Sequence, residues 1–458
     1  TEDQALALRS QLWDATNKLI DGEPFWKQNL WVVWICQFVT YVGFSVAVPF
    51  TPFYMREGLG VADGDMLKVY VGLSSALPHL TLATMAPIWG VLADKFGRKI
   101  MMLRANILGG LIIGSMGLAP QIHQLLVKLG IDSIEPVHVF LFLRLLQGVF
   151  TGTTSAAMTL VSSCTPRAKQ GYALAMISVS LFAGDIAGTV LGGYLSEEVG
   201  YQKLFIMTGT LWIVSGIALM LFTKENFQRP VKIKSDSSTS PFITVFLPAL
   251  PLFAIYIISN MARFVDNSQL PLVIEFLNGG EDMPHAARWT SLVMAGGFIG
   301  AMLSGFILGR FIDKHALLIS LSACTAAGFF LLAILGLLSM DHLQQYRVHL
   351  NIPGFPPDGS AAVYVMLLIR PFLIFCSAVL EPVWNSWLAK LTPPSSKGLM
   401  FGSAVTFRSV GQIITHSLAS ALALHYGFKA IYIAGPMLFF GLIPIVIIVE
   451  KKLHHKLV

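Results

Sequence analysis

Charge is scarce in this chain. Only 12% of its 458 residues are Asp, Glu, Lys or Arg, against roughly 25% in soluble domains, while 55% are hydrophobic. That scarcity excludes an ordinary water-soluble globule. Cysteine is rarer still: Cys36, Cys164, Cys324 and Cys376 sit in or at the ends of apolar runs without C-x-x-C spacing, so neither a disulfide framework nor a metal site is implied. No Gly-Lys-Ser phosphate loop and no His-x-x-x-His on a helix occur, which removes an ATP-driven pump and a metalloprotease. The net charge of +6 raises nucleic acid as a partner, but no basic stripe interleaved with exposed aromatics supports it. The first 29 residues mix charges and lack a continuous apolar core, so no cleavable signal peptide is expected.

What is present is a series of twelve apolar segments, each long enough to cross about 30 Å of hydrocarbon. They fall near 30–55, 67–92, 99–119, 138–161, 171–195, 203–223, 245–276, 288–310, 316–338, 361–388, 399–424 and 429–449. The expected domains are a cytoplasmic segment 1–29, a six-helix bundle 30–223, a polar linker 224–240, a second bundle 241–449 and a tail 450–458. Residues Ala5, Leu8, Leu12, Ala15 and Leu19 recur at helical spacing, so the first segment is either an amphipathic helix on the membrane surface or a frayed tail. Loop cations number nineteen on the side of the N-terminus and seven on the other, which orients both termini to the cytoplasm. Five arginines, Arg104, Arg144, Arg263, Arg370 and Arg408, remain inside spans.

Between the second and third spans runs Gly90-Val-Leu-Ala-Asp94-Lys-Phe-Gly97-Arg98-Lys99, a tight charged turn of pattern G-x-x-x-D-x-x-G-[RK]-[RK]. A weakened copy, Gly309 to Lys314, lies 219 residues on, and Arg144 aligns with Arg370 at an offset of 226. The turn resembles the first-loop signature of the major facilitator superfamily, and the drifting offset is what its duplicated six-helix unit gives. Arg144-Leu-Leu-Gln147-Gly148 resembles the superfamily's R-x-x-Q-G element, associated with proton-coupled members. Gly184-x-x-x-Gly188-Thr-x-x-Gly192-Gly193 resembles the antiporter signature G-x-x-x-G-P-x-x-G-G, with Thr189 in place of proline. Taken together, these motifs resemble those of the bacterial twelve-span drug:proton antiporters. The resemblance implies an all-α membrane protein with two pseudo-symmetric six-helix bundles, the first, fourth, seventh and tenth spans lining a central cavity.

Within that frame the intramembrane polar residues become candidates. Asp185 sits near the middle of its span, where an ionised Asp costs roughly 2.5–3.5 kcal/mol; it either titrates or is held by hydroxyls. Arg263 and Asp266, three apart and so on one face, either meet substrate or neutralise each other. Glu381 lies beside Pro382, Trp384 and Trp387, a mix suited to a cavity wall. Arg408, Gln412 and His416 make a polar stripe, Tyr41, Phe44 and Phe50 an aromatic wall or ordinary packing, and His79 a packing residue. Arg144 either faces the cavity or snorkels outward, and Glu275 is read as a rim residue.

The sequence thus predicts a proton-coupled transporter of the bacterial inner membrane, a monomer, exporting small organic molecules by alternating access. It is not expected to be an enzyme, and it needs no cofactor beyond the proton gradient. Asp185, Asp266 and Glu381 are the expected proton carriers. Tyr41, Phe44, Arg144, Arg263, Asp266, Arg370, Glu381, Trp384 and Arg408 are the expected substrate contacts. Gly90, Asp94, Gly97, Arg98 and Lys99 form the gating turn, and Gly184, Gly188, Gly192 and Gly193 the helix-packing motif. The alternative cargo is a specific polar or anionic metabolite, such as a siderophore, sugar or amino acid, moved in either direction.

Overall fold

The computed structural model describes residues 25–166, 169–225, 241–280, 285–350, 355–391 and 397–457. Its first half holds α1 Phe25–Ala47, α2 Thr51–Glu57, α3 Asp65–Phe96, α4 Arg98–Gly117, α5 Ala119–Lys128, α6 Pro136–Phe150, α7 Thr153–Cys164, α8 Gln170–Val199 and α9 Tyr201–Phe222. The second holds α10 Pro241–Arg263, α11 Leu270–Leu277, α12 Ala286–Leu308, α13 Ile312–Leu337, α14 Asp341–Gln345, α15 Ala361–Ala378, α16 Leu380–Leu391, α17 Lys397–Tyr426 and α18 Phe428–Leu457. A short antiparallel hairpin, β1 Arg347–His349 with β2 Asp358–Ser360, precedes α15.

Counting α1 with α2, α6 with α7, α10 with α11 and α15 with α16, the helices make twelve spans in two six-span bundles. The surface helix expected before residue 25 and linker residues 226–240 lie outside the described residues. The first span begins at Phe25, earlier than expected, and α18 continues beyond 449 to Leu457.

Besides a kink at His315, where the ninth span starts, four spans are broken among the described residues: the first, fourth, seventh and tenth. Proline sets three of the breaks. A 3-10 turn containing Pro49 interrupts the first span and Pro52 starts α2; a turn over 264–269 interrupts the seventh and Pro271 starts α11; Pro382 stands in the first turn of α16. Proline lacks the N–H that the first turn leaves unbonded anyway, so a helix restarts there without loss. In the fourth span Gly152 adopts φ +112°, a region that other residues avoid. Each break frees backbone polar groups, which at membrane depth must look into protein or water.

Eight spans are long and apolar enough to cross a membrane on composition alone, with α6 and the Ala249–Arg263 part of α10 as shorter apolar helices. The two remaining, α3 and α17, pack on each other between the bundles, where α8 also meets α12. Their lower apolarity follows: they give to protein the face that other spans give to lipid.

The second bundle has one continuous apolar core, from Leu252 through Trp289 and Leu331 to Val446. The first has two. One surrounds Tyr54, Phe140 and Phe205, the other Met102, Val161 and Leu219. A polar layer parts them: Thr40 hydroxyl bonds Asn106 and Ser215 at 3.1 Å each, and the Trp212 indole donates to the Thr40 carbonyl at 2.7 Å. All three side chains around Thr40 are buried, so the layer is satisfied internally.

Candidate functional site

The deep charges of the second bundle assemble into two groups. Asp266 accepts from Arg370 Nη1 and from the Tyr432 hydroxyl, the latter at 3.1 Å, and all but 2% of Asp266 and 3% of Arg370 are buried. Glu381 accepts from Arg263 Nη1 at 2.7 Å through one oxygen and from Arg408 Nη1 at 2.5 Å through the other. This corrects the expectation that Arg263 and Asp266 share a helical face: α10 ends at Arg263, Asp266 falls in the turn after it, and each takes a different partner. The Arg263, Glu381 and Arg408 side chains stay 13%, 25% and 26% exposed, which marks them as the open group of the two. Tyr256 stands beside Arg408 and donates to Asn385 Oδ1 at 2.6 Å. Trp384, expected on the cavity wall, is instead fully enclosed, its indole N–H donating to Ser259 at 3.0 Å.

In the first bundle Arg144 does not snorkel. It is 96% buried, donates to Gln147 Oε1 at 2.9 Å and to Thr51 at 3.1 Å, and meets no carboxylate among the described residues. Gly148, which ends the same element, lets α6 approach α3: a side chain there would run into the Pro78 carbonyl. Asp185 receives a 2.5 Å hydrogen bond from Ser45, and no cation pairs with it among the described residues. Tyr41 bonds Thr154 at 2.6 Å and lies 6.4 Å from Phe44, while Phe50 packs with Phe53 and Ala287 rather than with them.

The glycine motif divides by partner. Gly184, Gly188 and Gly192 bring α8 against the first span at Phe38, Val42 and Val46, whereas Gly193 faces Ser291 and Ala287 of the other bundle. In the gating turn Gly97 takes φ +100° and separates α3 from α4. Gly90 and Asp94 fall in the last turns of α3, and the Asp94 side chain lies outside the described residues. The acid at the start of α4 is Glu225, whose two oxygens accept from the Arg98 and Lys99 backbone N–H groups at 2.8 and 2.9 Å. Sequence reading missed it because it stands at the edge of the linker; a carboxylate is what a helix N-terminus favours. Lys99 Nζ in turn donates to the Met220 carbonyl in the last turn of α9 and to the carbonyl of Thr223 just beyond it.

The bundles are tied together at the face away from the chain ends. Arg56 Nη1 and Nη2 grip Glu275 at 3.1 and 2.9 Å, so Glu275 is a buried latch rather than a rim residue. Glu197 holds both His285, at 2.9 Å, and Arg288, at 2.6 Å. Midway along the α3 and α17 seam His79 stacks on His416 with ring centroids 5.7 Å apart. Among the described residues no ion pair joins the bundles at the face that carries Gly97 and Glu225.

Residues 33–344 match the family model of the Major Facilitator Superfamily. The chain is 30% identical to the multi-drug resistance efflux pump PmrA homolog of Lactococcus lactis subsp. lactis, over 90% of this chain and 92% of that protein. It is 26% identical to the multidrug resistance protein MdtG of Proteus mirabilis, over 91% of this chain and 95% of that one. Among solved structures, the nucleoside transporter NupG superposes with a TM-score of 0.65 at 12% identity, covering 92% of this chain and 99% of its own. The chain therefore belongs to the major facilitator superfamily: it is a multi-pass membrane transporter and not an enzyme.

Proposed function

We propose that the protein exports small organic molecules across the bacterial inner membrane in exchange for protons, with both termini in the cytoplasm. The observation that carries the coupling is Asp185. Arginines neutralise Asp266 and Glu381, whereas among the described residues Asp185 has only the Ser45 hydroxyl bonded to it, so an ionised carboxylate there stays uncompensated and gains by taking a proton. Proton uptake and release at Asp185 would then accompany movement of the first span, which lies against it through Gly184 and Gly188. Export is the direction in the name of the PmrA homolog above, and the cation balance of the loops supports cytoplasmic termini. The ion pairs Arg56–Glu275 and Glu197–His285, which join the bundles at the face away from the chain ends, support a reading in which the two bundles part and close in alternating access.

The test is gradient-driven efflux in liposomes with an internal pH dye. Asp185→Asn is expected to abolish uphill movement while substrate still raises the melting temperature of the purified protein. Undiminished uphill transport by that variant would remove Asp185 from the mechanism.

A further inference from the structure

Building on the transporter reading, we infer that the Arg263–Glu381–Arg408 cluster is the binding site for the carboxylate of an amphipathic organic anion, and that Glu381 occupies it until substrate arrives. Two guanidiniums share one carboxylate here, so the cluster keeps one unit of positive charge. Each guanidinium has five N–H donors, and Glu381 takes one from each. Arg408 Nε is buried and without a partner. Donors are therefore in surplus, and they are fixed in the fork geometry that suits a second carboxylate.

The site's location agrees. The three side chains come from the seventh, tenth and eleventh spans, next to two of the helix breaks, and they remain partly exposed, whereas the Asp266–Arg370 pair does not. A charged cluster open to lipid would be strongly disfavoured, so the opening is to water inside the protein. An apolar body has a surface to lie on. The half-buried Phe264 ring lies 5.4 Å from the Arg263 guanidinium, and the Tyr256 ring lies 5.8 Å from that of Arg408. The arrangement is a cationic fork with an aromatic shelf, and Glu381 imitates the head group of what it binds.

Three probes of matched shape test the idea: 1-naphthylacetate, its uncharged amide, and 1-naphthylmethylammonium. Binding is measured by shift of the melting temperature in nanodiscs of zwitterionic lipid, so that no anionic headgroup competes, and transport is measured in liposomes. Naphthylacetate is expected to bind most tightly. Arg408→Gln should weaken it about tenfold, and Arg408→Lys less. Glu381→Gln, which removes the internal competitor, should tighten it about tenfold. A cluster that only braces the helices would give losses of stability in all variants and no change in preference among the probes. Tighter binding of the ammonium, or weaker binding of naphthylacetate to Glu381→Gln, overturns the proposal. Uphill transport of the ammonium alone would do so while leaving the transporter reading intact; no gradient-driven movement of any probe would sink both.

Discussion

Asp266 and Glu381 are both deep acids held by arginine, yet they should respond very differently to loss of charge. Asp266 is 98% buried against an Arg370 that is equally enclosed, so Asp266→Asn leaves a buried cation with a single neutral neighbour. Breaking such a pair costs about 3–5 kcal/mol, and removing both charges costs less. Asp266→Asn is thus expected to lower the melting temperature sharply, and Asp266→Asn with Arg370→Gln to recover most of the loss. Thermal unfolding of the wild type, the two single variants Asp266→Asn and Arg370→Gln, and the double variant measures the coupling directly. None of these partners could be read from the chain, because Asp266 and Arg370 lie 104 residues apart and Arg263 and Glu381 lie 118 apart. Residue type and depth were legible; which acid meets which cation depends on where helices end, and the assumed continuity of the seventh span misdirected the pairing.

The breaks themselves were half visible. Pro49, Pro52, Pro271 and Pro382 stand where three spans restart, and proline inside an apolar run is a signal that sequence offers openly. The fourth break has only Gly152, one glycine among many. Its φ of +112° gives it a distinct test: Gly152→Ala should cost about 1–2 kcal/mol and depress the melting midpoint, while alanine at nearby Gly114, which has room, should be tolerated better. The end of the sixth span offers a second test. Glu225→Ala removes the acceptor for the first two N–H groups of α4, a change of about 1 kcal/mol, and should loosen the gating turn without altering substrate affinity. Susceptibility of that turn to protease, compared with binding isotherms, separates the two effects.

Across the whole molecule the two bundles meet in a lopsided way. Their ion pairs gather at one face, while toward the other face α3 and α17 pack on each other and Thr406 donates a long hydrogen bond to the Ala83 carbonyl at 3.4 Å. Replacing Glu197 and Glu275 together by glutamine should shift the population toward opening at the latched face. A cysteine introduced at Ser291, which lies against Gly193 across the seam, reads this out: a membrane-impermeant maleimide is expected to label it about fivefold faster in the latch variant. Equal labelling would place the energy of closure in the α3 and α17 seam instead. The twelve-span plan was legible from hydropathy and the repeated turn; the latch was not, since Arg56, Glu197, Glu275 and His285 look like loop-edge charges until two bundles bring them together.

The clasp around Glu225 also bears on how the protein is made. Asn29 exchanges two hydrogen bonds with Lys224, at 2.6 and 2.9 Å, and Glu225 closes over the start of α4, so contacts nearly two hundred residues apart fasten the first span to the sixth. Every group in that clasp belongs to the part of the chain synthesised first. On a translating ribosome the leading bundle can seal its own ring of helices before the second has been inserted, and the trailing bundle then assembles against a finished template.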